Sequence, residues 1–218
     1  MSKKEENLKE TVLTAFIDTS LEKETFPLSV FKFCKENKIE EKTFYKHFSS
    51  LDAVKGKIWE FFYDNAIGLL EKDSAYENAS PKDKLLSFYF TFFEVMLLNR
   101  SYVLFSLSSH QSTVVKMSQL NIMRSSFKDF AEDLIDMGNA NKNESYLQHP
   151  PKIFSEGAWI QFAFLIKFWI NDASVDFEKT DQAIEKSVQT VFDVFDSTTL
   201  GTLVDFGKFL WKEKFVFN

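Results

Sequence analysis

Residues 28–48 of this chain contain two short segments with helical periodicity, separated by a pair of polar residues. Apolar residues recur at helical spacing in the first run, Asn37-Lys38 interrupts them, and a second run resumes the same ridge. Two short helices joined by so tight a turn form the helix-turn-helix pattern, which predicts a small all-helical unit here. The apolar positions are Val30, Phe33, Cys34, Ile39, Phe44 and Phe48.

The polar face of the second helix is the part of this motif that can meet DNA. In a helix-turn-helix the first helix crosses the DNA backbone and the second offers its polar side to the major groove. The pattern therefore predicts DNA contacts for Lys42, Thr43, Tyr45, Lys46 and His47.

Composition favours long helices in the rest of the chain. The 218 residues contain 6 Gly and 4 Pro, and β-branched alternations are few, so strands and tight turns have little to build on. The single cysteine, Cys34, excludes an internal disulfide, and the charged N-terminus has no apolar run of signal-peptide type. We expect an all-α protein of the cytoplasm, with Cys34 as a small buried apolar residue.

The net charge of the whole chain is unfavourable for nucleic-acid binding. The formal net charge is −6, and residues 1–65 hold 11 lysines, no arginine and 12 acidic residues. Because lysine and arginine supply most of the affinity for phosphate, binding would depend on local clusters of lysines.

Helical periodicity and a polar connector at 71–81 predict two domains. Residues 1–50 hold a first helix and the helix-turn-helix, and a fourth helix at about 51–72 leads away, opened by Ser49-Ser50 and Asp52. Ser80 then caps a helix whose first residue is Pro81. Residues 73–218 follow as an all-helical domain, with a polar loop at 139–151.

The helix-turn-helix resembles that of the TetR family of transcriptional regulators. Ser29, Val30, Phe33, Ile39 and the ending 43–48, Thr-Phe-Tyr-Lys-His-Phe, match the family's signature without gaps. The resemblance implies a homodimer that binds a double-stranded DNA operator, usually as a repressor. It also implies a C-terminal domain that binds an effector and dimerises.

The chain departs from the family signature at four places. Asn37-Lys38 stands where the family has Gly in the turn, Glu40 replaces a capping Ser, and Lys42 replaces a second Gly. Leu51 replaces the basic residue that opens the fourth helix and binds phosphate, for which Lys55 or Lys57 can substitute. With the resemblance included, the predicted DNA-binding residues are Ser29, Lys42, Thr43, Tyr45, Lys46, His47 and Lys55.

Aromatic stripes in the second half suggest an effector pocket or a plain hydrophobic core. An effector bound there would be apolar or amphipathic, because few buried polar anchors are visible in the sequence. The apolar helix 153–170 and the helix carrying Phe192 and Phe195 are predicted to pack partly across a twofold axis. Trp211, Phe215 and Phe217 belong either to that bundle or to an amphipathic tail. The predicted pocket residues are Phe88, Phe92, Phe93, Met96, Phe105, Met123, Phe127, Phe162 and Phe168.

No catalytic or metal-binding constellation stands out. His47, His110 and His149 are far apart in sequence and lack metal-ligand spacing, and pairs such as Asp133 and Asp136 read as solvated charge. The most apolar window, 158–170, is shorter than a membrane span and holds Gln161 and Lys167. We expect no enzymatic activity, no metal, no cofactor and no membrane partner.

Two functions fit these observations. The first is a DNA-binding regulator, a repressor as the TetR resemblance implies, controlled by a small apolar or amphipathic effector. The second is a protein of the same fold that has lost operator binding and carries a lipid or isoprenoid. The intact ending 43–48 favours the first, and the acidic charge, Glu40 and Leu51 favour the second.

Overall fold

The computed structural model describes residues 3–107, 119–140 and 150–197 of the protein. Within these ranges every regular element is helical, which confirms the predicted all-α fold class. A 3-10 turn at Val175–Phe177 precedes the last described helix. The α-helices are α1 (Lys3–Glu22), α2 (Val30–Glu36), α3 (Glu41–His47), α4 (Leu51–Leu70), α5 (Ser74–Glu77), α6 (Pro81–Leu98), α7 (Arg100–Ser106), α8 (Asn121–Asn139), α9 (Pro151–Asn171) and α10 (Glu178–Ser197).

Serine caps set the start of two long helices where the sequence predicts them. The Oγ of Ser50 accepts the N–H of Ala53 at 3.1 Å, and α4 begins at the next residue, Leu51. The Oγ of Ser80 accepts the N–H of Asp83 at 3.1 Å, and Pro81 is the first residue of α6. Each hydroxyl satisfies one of the N–H groups that a helix start leaves without an intrahelical partner.

The chain divides into two compact units. The first unit comprises residues 3–62, 96–107 and 119–123, and the second comprises 63–95, 124–140 and 150–197. The division falls inside α4, α6 and α8, whereas the sequence places the domain limits at 50 and 73. The predicted domain limits stay a prediction.

Several predicted segments differ in detail from the structure. The polar connector after Leu70 contains the one-turn helix α5, which the carboxylate of Asp73 caps by accepting the N–H of Ala75 at 2.9 Å. Most of the predicted loop 139–151 lies outside the described residues, and so do Trp211, Phe215 and Phe217.

The second unit has an aromatic core formed by α6, α8 and α9. Phe88, Phe92, Phe127 and Phe162 are fully buried, and the centroids of the Phe127 and Phe162 rings lie 4.7 Å apart. Phe162 also contacts the ring of Phe92 at 5.0 Å. These stacked and edge-on contacts are the arrangement that aromatic rings prefer in a packed core.

The carboxylate of Asp172 organises the junction between α9 and α10. One of its oxygens accepts the hydroxyl and N–H of Ser174 at 2.6 and 2.8 Å, and the other accepts the hydroxyl and N–H of Thr180 at 2.6 and 2.9 Å. The hydrogen bonds from Ser174 and then Thr180 hold the pKa of Asp172 well below its usual range. Asp176 and Phe177 adopt positive φ of 51° and 59° in this junction, so it relies on such contacts to keep its shape.

Helix α9 is longer than the apolar window that the sequence indicates. Among the described helices it is the one whose length and composition would allow it to cross a membrane. Half of its most apolar stretch is buried inside the structure, and the core helix of a globular protein has the same properties.

Candidate DNA-binding surface

Side chains at both ends of α2 fix its limits. Ser29 is extended, and its Oγ accepts the N–H of Lys32 at 3.4 Å, which caps the start of the helix. At the other end, the side-chain N–H₂ of Asn37 donates to the carbonyl oxygen of Phe33 at 2.9 Å and to the hydroxyl oxygen of Thr19 at 3.1 Å. Asn37 therefore stops α2 and also ties the turn to α1.

Lys38 makes the turn between the two helices possible. Its φ of 56° lies in the left-handed region, which side chains other than Gly adopt at a cost. The turn closes when the N–H of Ile39 donates to the carbonyl oxygen of Cys34 at 2.9 Å.

Helix α3 begins without a side-chain cap. Glu40 is extended at its start, and the side chain of Glu40 makes no capping hydrogen bond. The carbonyl oxygen of Glu40 accepts the N–H groups of Thr43 and Phe44 at 2.9 and 3.0 Å. The start of α3 therefore depends on backbone bonds and on the packing beneath it.

That packing is a small aromatic core under α3. Phe44 is fully buried, and its ring lies 6.2 Å from that of Phe33 and 5.7 Å from that of Phe48. Phe33 in turn contacts Phe16 of α1 at 5.9 Å. Phe44 thus anchors the recognition helix on α1 and α2.

The opposite side of α3 faces outward. Lys42 and Lys46 are exposed, Tyr45 is 56% exposed, and Thr43 and His47 are half-buried. Positions 42, 45 and 46 follow the three- and four-residue spacing that places side chains on one helix face. The structure thus brings the predicted residues of α3 together on one outward surface, and Ser29 caps the neighbouring helix.

Lys55 has close partners within the first unit. Its ammonium lies 2.7 Å from a carboxylate oxygen of Asp52 and 4.2 Å above the centre of the Phe26 ring, and its side chain is 15% exposed. Lys57 is ion-paired with Glu60. Both lysines that could replace the phosphate-binding residue of the fourth helix are therefore engaged by carboxylates.

Lysines beyond those predicted raise the local positive charge. Residues 28–48 contain five lysines and three glutamates, and Lys32, Lys35 and Lys38 are exposed. Glu36 is ion-paired with Lys23, the residue after the end of α1, which offsets one of those negative charges. Lys32 and Lys35 lie opposite the buried pair Phe33 and Cys34 on the helical repeat of α2, a signal from which these two lysines could have been predicted.

Residues 84–210 of the chain match the protein family described as Tetracyclin repressor-like, C-terminal domain. The chain belongs to the TetR family. The match covers the second half of the protein, whereas the resemblance seen in the sequence rests on residues 28–48, so two separate parts of the chain agree. TetR-family regulators bind DNA operators and act as dimers.

One solved structure shares this fold. A crystal structure assigned as a TetR-family transcriptional regulator from Syntrophomonas wolfei has a TM-score of 0.65 and 14% sequence identity, over 89% of this chain and 98% of that chain. A structure assigned to the same family, from Shewanella sp. PV-4, has a TM-score of 0.48 and 16% identity, over 89% of this chain and 96% of that chain. No curated protein sequence matches the chain.

Two departures from the TetR signature have a visible physical effect. Lys38 occupies the left-handed turn position that the family fills with Gly, and Glu40 stands at the cap position without capping. The turn and α3 still form, because the side chain of Asn37 ties the turn to α1 and the buried ring of Phe44 anchors α3.

The predicted pocket residues fall into both units. Phe88, Phe92, Phe127 and Phe162 contact one another in the core of the second unit, as described above. In the same unit, Phe93 lies 6.0 Å from Trp169, and the half-buried Phe168 lies 6.0 Å from Phe164. The predicted pocket residues that belong to the first unit are Met96, Phe105 and Met123.

Potential metal ligands do not cluster in the part of the chain that the structure describes. No group of three or more His, Cys, Asp or Glu side chains in those ranges could hold a metal ion. His110 and His149 lie outside the described residues. Cys34 is buried, as predicted, and burial, with the negative charge of Glu41, raises the pKa of its thiol.

Proposed function

We propose that the protein is a dimeric DNA-binding transcriptional regulator controlled by a small apolar or amphipathic effector. The observation that carries the proposal is the outward face of α3, where Lys42, Tyr45 and Lys46 stand exposed above the buried anchor Phe44. The proposal includes a cytoplasmic location and no enzymatic step.

In this proposal α3 enters the major groove. Lys42 and Lys46 neutralise phosphates or donate to guanine, and the exposed ring and hydroxyl of Tyr45 meet the backbone or a base edge. Thr43, His47 and Ser29 bond the sugar-phosphate backbone at the edges of the contact. Lys55 adds to the positive electrostatic potential of this surface only when its ion pair with Asp52 is broken.

The dimer is proposed to form along α9. Ile153, Gly157, Ile160 and Phe164 are exposed and recur at spacings of four, three and four residues, which is the pattern of a helix-packing seam. With one helix-turn-helix from each protomer, such a dimer would read half-sites about 34 Å apart on one side of DNA. The output would be repression, as is usual in this family.

Operator binding is tested by selecting binding fragments from the genome that encodes the protein. The enriched site is then titrated with the full chain at two salt concentrations. We expect sub-micromolar affinity that falls steeply as salt rises. Lys46→Ala should weaken binding and reduce the salt slope by about 1, whereas Tyr45→Ala should weaken binding with the slope unchanged.

A matched control separates the surface of α3 from general charge. Lys186 is exposed on α10, and Lys186→Ala changes the net charge by the same amount as Lys46→Ala. The control should leave the affinity and the salt slope at wild-type values. Equal losses from both variants would count against a specific role for α3.

A second candidate function is supported by particular side chains. Lys55 and Lys57 are paired with acidic neighbours, and Leu28, next to the capping Ser29, is 93% exposed. These features suit a protein of this fold that carries a lipid or isoprenoid and no longer binds an operator. No enriched genomic fragment, together with a lipid that co-purifies with the chain, would favour this function over the regulator.

A further inference from the structure

The buried polar atoms of the first unit that lack a hydrogen-bond partner among the described residues include two donors on aromatic side chains. They are the indole N–H of Trp59 on α4 and the hydroxyl of Tyr102 on α7. Trp59 is 0% exposed and Tyr102 is 1% exposed, so bulk water does not reach either group. Leaving such groups without a partner is costly, and native proteins seldom do so without a reason.

Other buried tyrosines of the chain find partners. The hydroxyl of Tyr63 donates to the carbonyl oxygen of Ser126 at 3.1 Å. The hydroxyl of Tyr89 lies 3.4 Å from the carbonyl oxygen of Ala158 and 3.3 Å from the side-chain oxygen of Gln161. Tyr102 therefore differs from two tyrosines that are buried in the same protein.

The two atoms without partners share an aromatic neighbour. The ring of Phe62 lies 5.8 Å from that of Trp59 and 6.5 Å from that of Tyr102. All three residues belong to the first unit. Both donors therefore belong to aromatic side chains that contact one buried ring, and a few polar groups among apolar and aromatic side chains are the usual composition of a ligand site.

We infer that the indole N–H of Trp59 and the hydroxyl of Tyr102 are the polar anchors of the effector site. The effector carries a carbonyl, ether or hydroxyl oxygen that accepts from them, on an apolar or aromatic body that packs on Phe62. This inference rests on the proposed control by an effector, and it places the effector site in the first unit. Of the predicted pocket residues, Met96, Phe105 and Met123 belong to that unit.

The position of Tyr102 gives an effector a direct influence on the DNA-binding region. Phe105 follows one turn later on α7, and its ring lies 4.8 Å from that of Phe26 in the segment between α1 and α2. Helix α7 also packs against α1. A molecule that binds Tyr102 and prefers one position of α7 will therefore also favour one position of Phe26.

Ring contacts continue from Phe26 to the recognition helix. Phe26 contacts Phe16 at 5.9 Å, Phe16 contacts Phe33 at 5.9 Å, and Phe33 contacts the α3 anchor Phe44 at 6.2 Å. An effector held by Trp59 and Tyr102 thus acts on DNA binding through packed side chains of the first unit.

The first test asks whether the hydroxyl of Tyr102 lacks a partner in the ligand-free protein. The full chain is refolded from denaturant to remove bound small molecules, and the melting temperature (Tm) of Tyr102→Phe is compared with that of Tyr89→Phe. Removing an unpaired hydroxyl should raise Tm by about 2–4 °C, and removing the paired hydroxyl of Tyr89 should lower it by about as much. A fall in Tm for Tyr102→Phe would mean that an internal water already satisfies the group, and would overturn the inference.

The second test uses matched pairs of probes that differ in one oxygen. Acetophenone is compared with ethylbenzene, and longer phenylalkyl ketones with the corresponding alkylbenzenes. The inference predicts that at least one ketone raises the Tm of the wild-type chain more than its hydrocarbon does. Tyr102→Phe should remove this excess and weaken ketone binding by about fivefold, and Tyr89→Phe should keep both.

Two results would overturn the inference in the second test. One is the absence of any ketone excess across the series, and the other is an excess that survives in Tyr102→Phe. Neither test contains DNA. If the ketone predictions fail, operator binding is therefore still decided separately, by the DNA titration of wild type and Lys46→Ala. Conversely, a chain that binds no operator can still show the ketone excess.

Discussion

The helix-turn-helix and the core of the second unit both depend on phenylalanine, but they use it differently. Helices α2 and α3 have seven residues each, and one ring, Phe44, anchors α3 from below. In the second unit, Phe88 of the 18-residue helix α6 packs against rings of α4, α8 and α9. The position of α3 therefore depends on few aromatic contacts, whereas the helices of the second unit are held together by many.

The largest effect should come from removing the anchor of α3. Phe44→Ala deletes a fully buried ring and should lower the free energy of unfolding of the helix-turn-helix by about 3–5 kcal/mol. Hydrogen exchange should show the loss in α2 and α3, with α8 and α9 still protected. Phe88→Ala is the matched control and should expose α6, α8 and α9 together. Equal loss of protection in α9 from both variants would show that the two regions unfold as one.

A charge on the exposed face of α9 should separate the protomers. Ile160 is 54% exposed, and Ile160→Asp would place a carboxylate in the proposed seam, weakening dimerisation by about tenfold or more. Sedimentation over a range of protein concentrations measures the change. Leu69→Asp, at a similarly exposed apolar residue of α4, is the control and should leave the dimer intact. A dimer that tolerates Ile160→Asp would place the interface elsewhere.

A pH-dependent effect is expected at the junction between α9 and α10. The pKa of Asp172 is lower in the folded than in the unfolded chain, so its stabilisation is complete above the ordinary value of 3.8 and is lost as pH falls toward the folded pKa. Asp172→Asn should therefore lower Tm at neutral pH, and the difference from wild type should narrow below pH 3.8. Asp129→Asn, which removes an exposed carboxylate of α8, is the control for the loss of one negative charge. If the Tm difference between Asp172→Asn and wild type stayed constant as pH fell, the charge of Asp172 would not be what stabilises the junction.

The smallest effect should be a gain in stability at the turn. Lys38→Gly relieves the positive φ and should raise the free energy of unfolding by about 0.5–1 kcal/mol, after the entropy cost of Gly. Lys35→Gly removes the same side chain from the regular helix α2 and should lower it by about 1 kcal/mol. Chemical denaturation measures both. Opposite signs would show that backbone strain, and not lysine charge, distinguishes the two positions.

Local patterns in the sequence predicted the helices well. The apolar positions and Ser29 place α2 and α3, and the serines at 50 and 80 place the starts of α4 and α6. The one-turn helix α5 was missed because four residues carry no periodicity. That α4 contributes to both compact units depends on contacts between distant residues, which a local pattern does not contain.

Site residues were harder to predict than helices. Asp52 and Lys55 stand three residues apart, so their ion pair was visible in the sequence, but the position of Lys55 over Phe26 required the fold. The sequence could not predict that the indole N–H of Trp59 and the hydroxyl of Tyr102 lack hydrogen-bond partners, because this depends on every residue that the fold places around them.

The single cysteine of the chain, Cys34, lies on α2, where it is buried and its pKa is raised. A thiol in this state reacts slowly with peroxides and disulfides, because the thiolate is the reactive form. Oxidation of sulfur is therefore a slow route to any change in the helix-turn-helix, so this segment should keep its fold in oxidising and in reducing solutions.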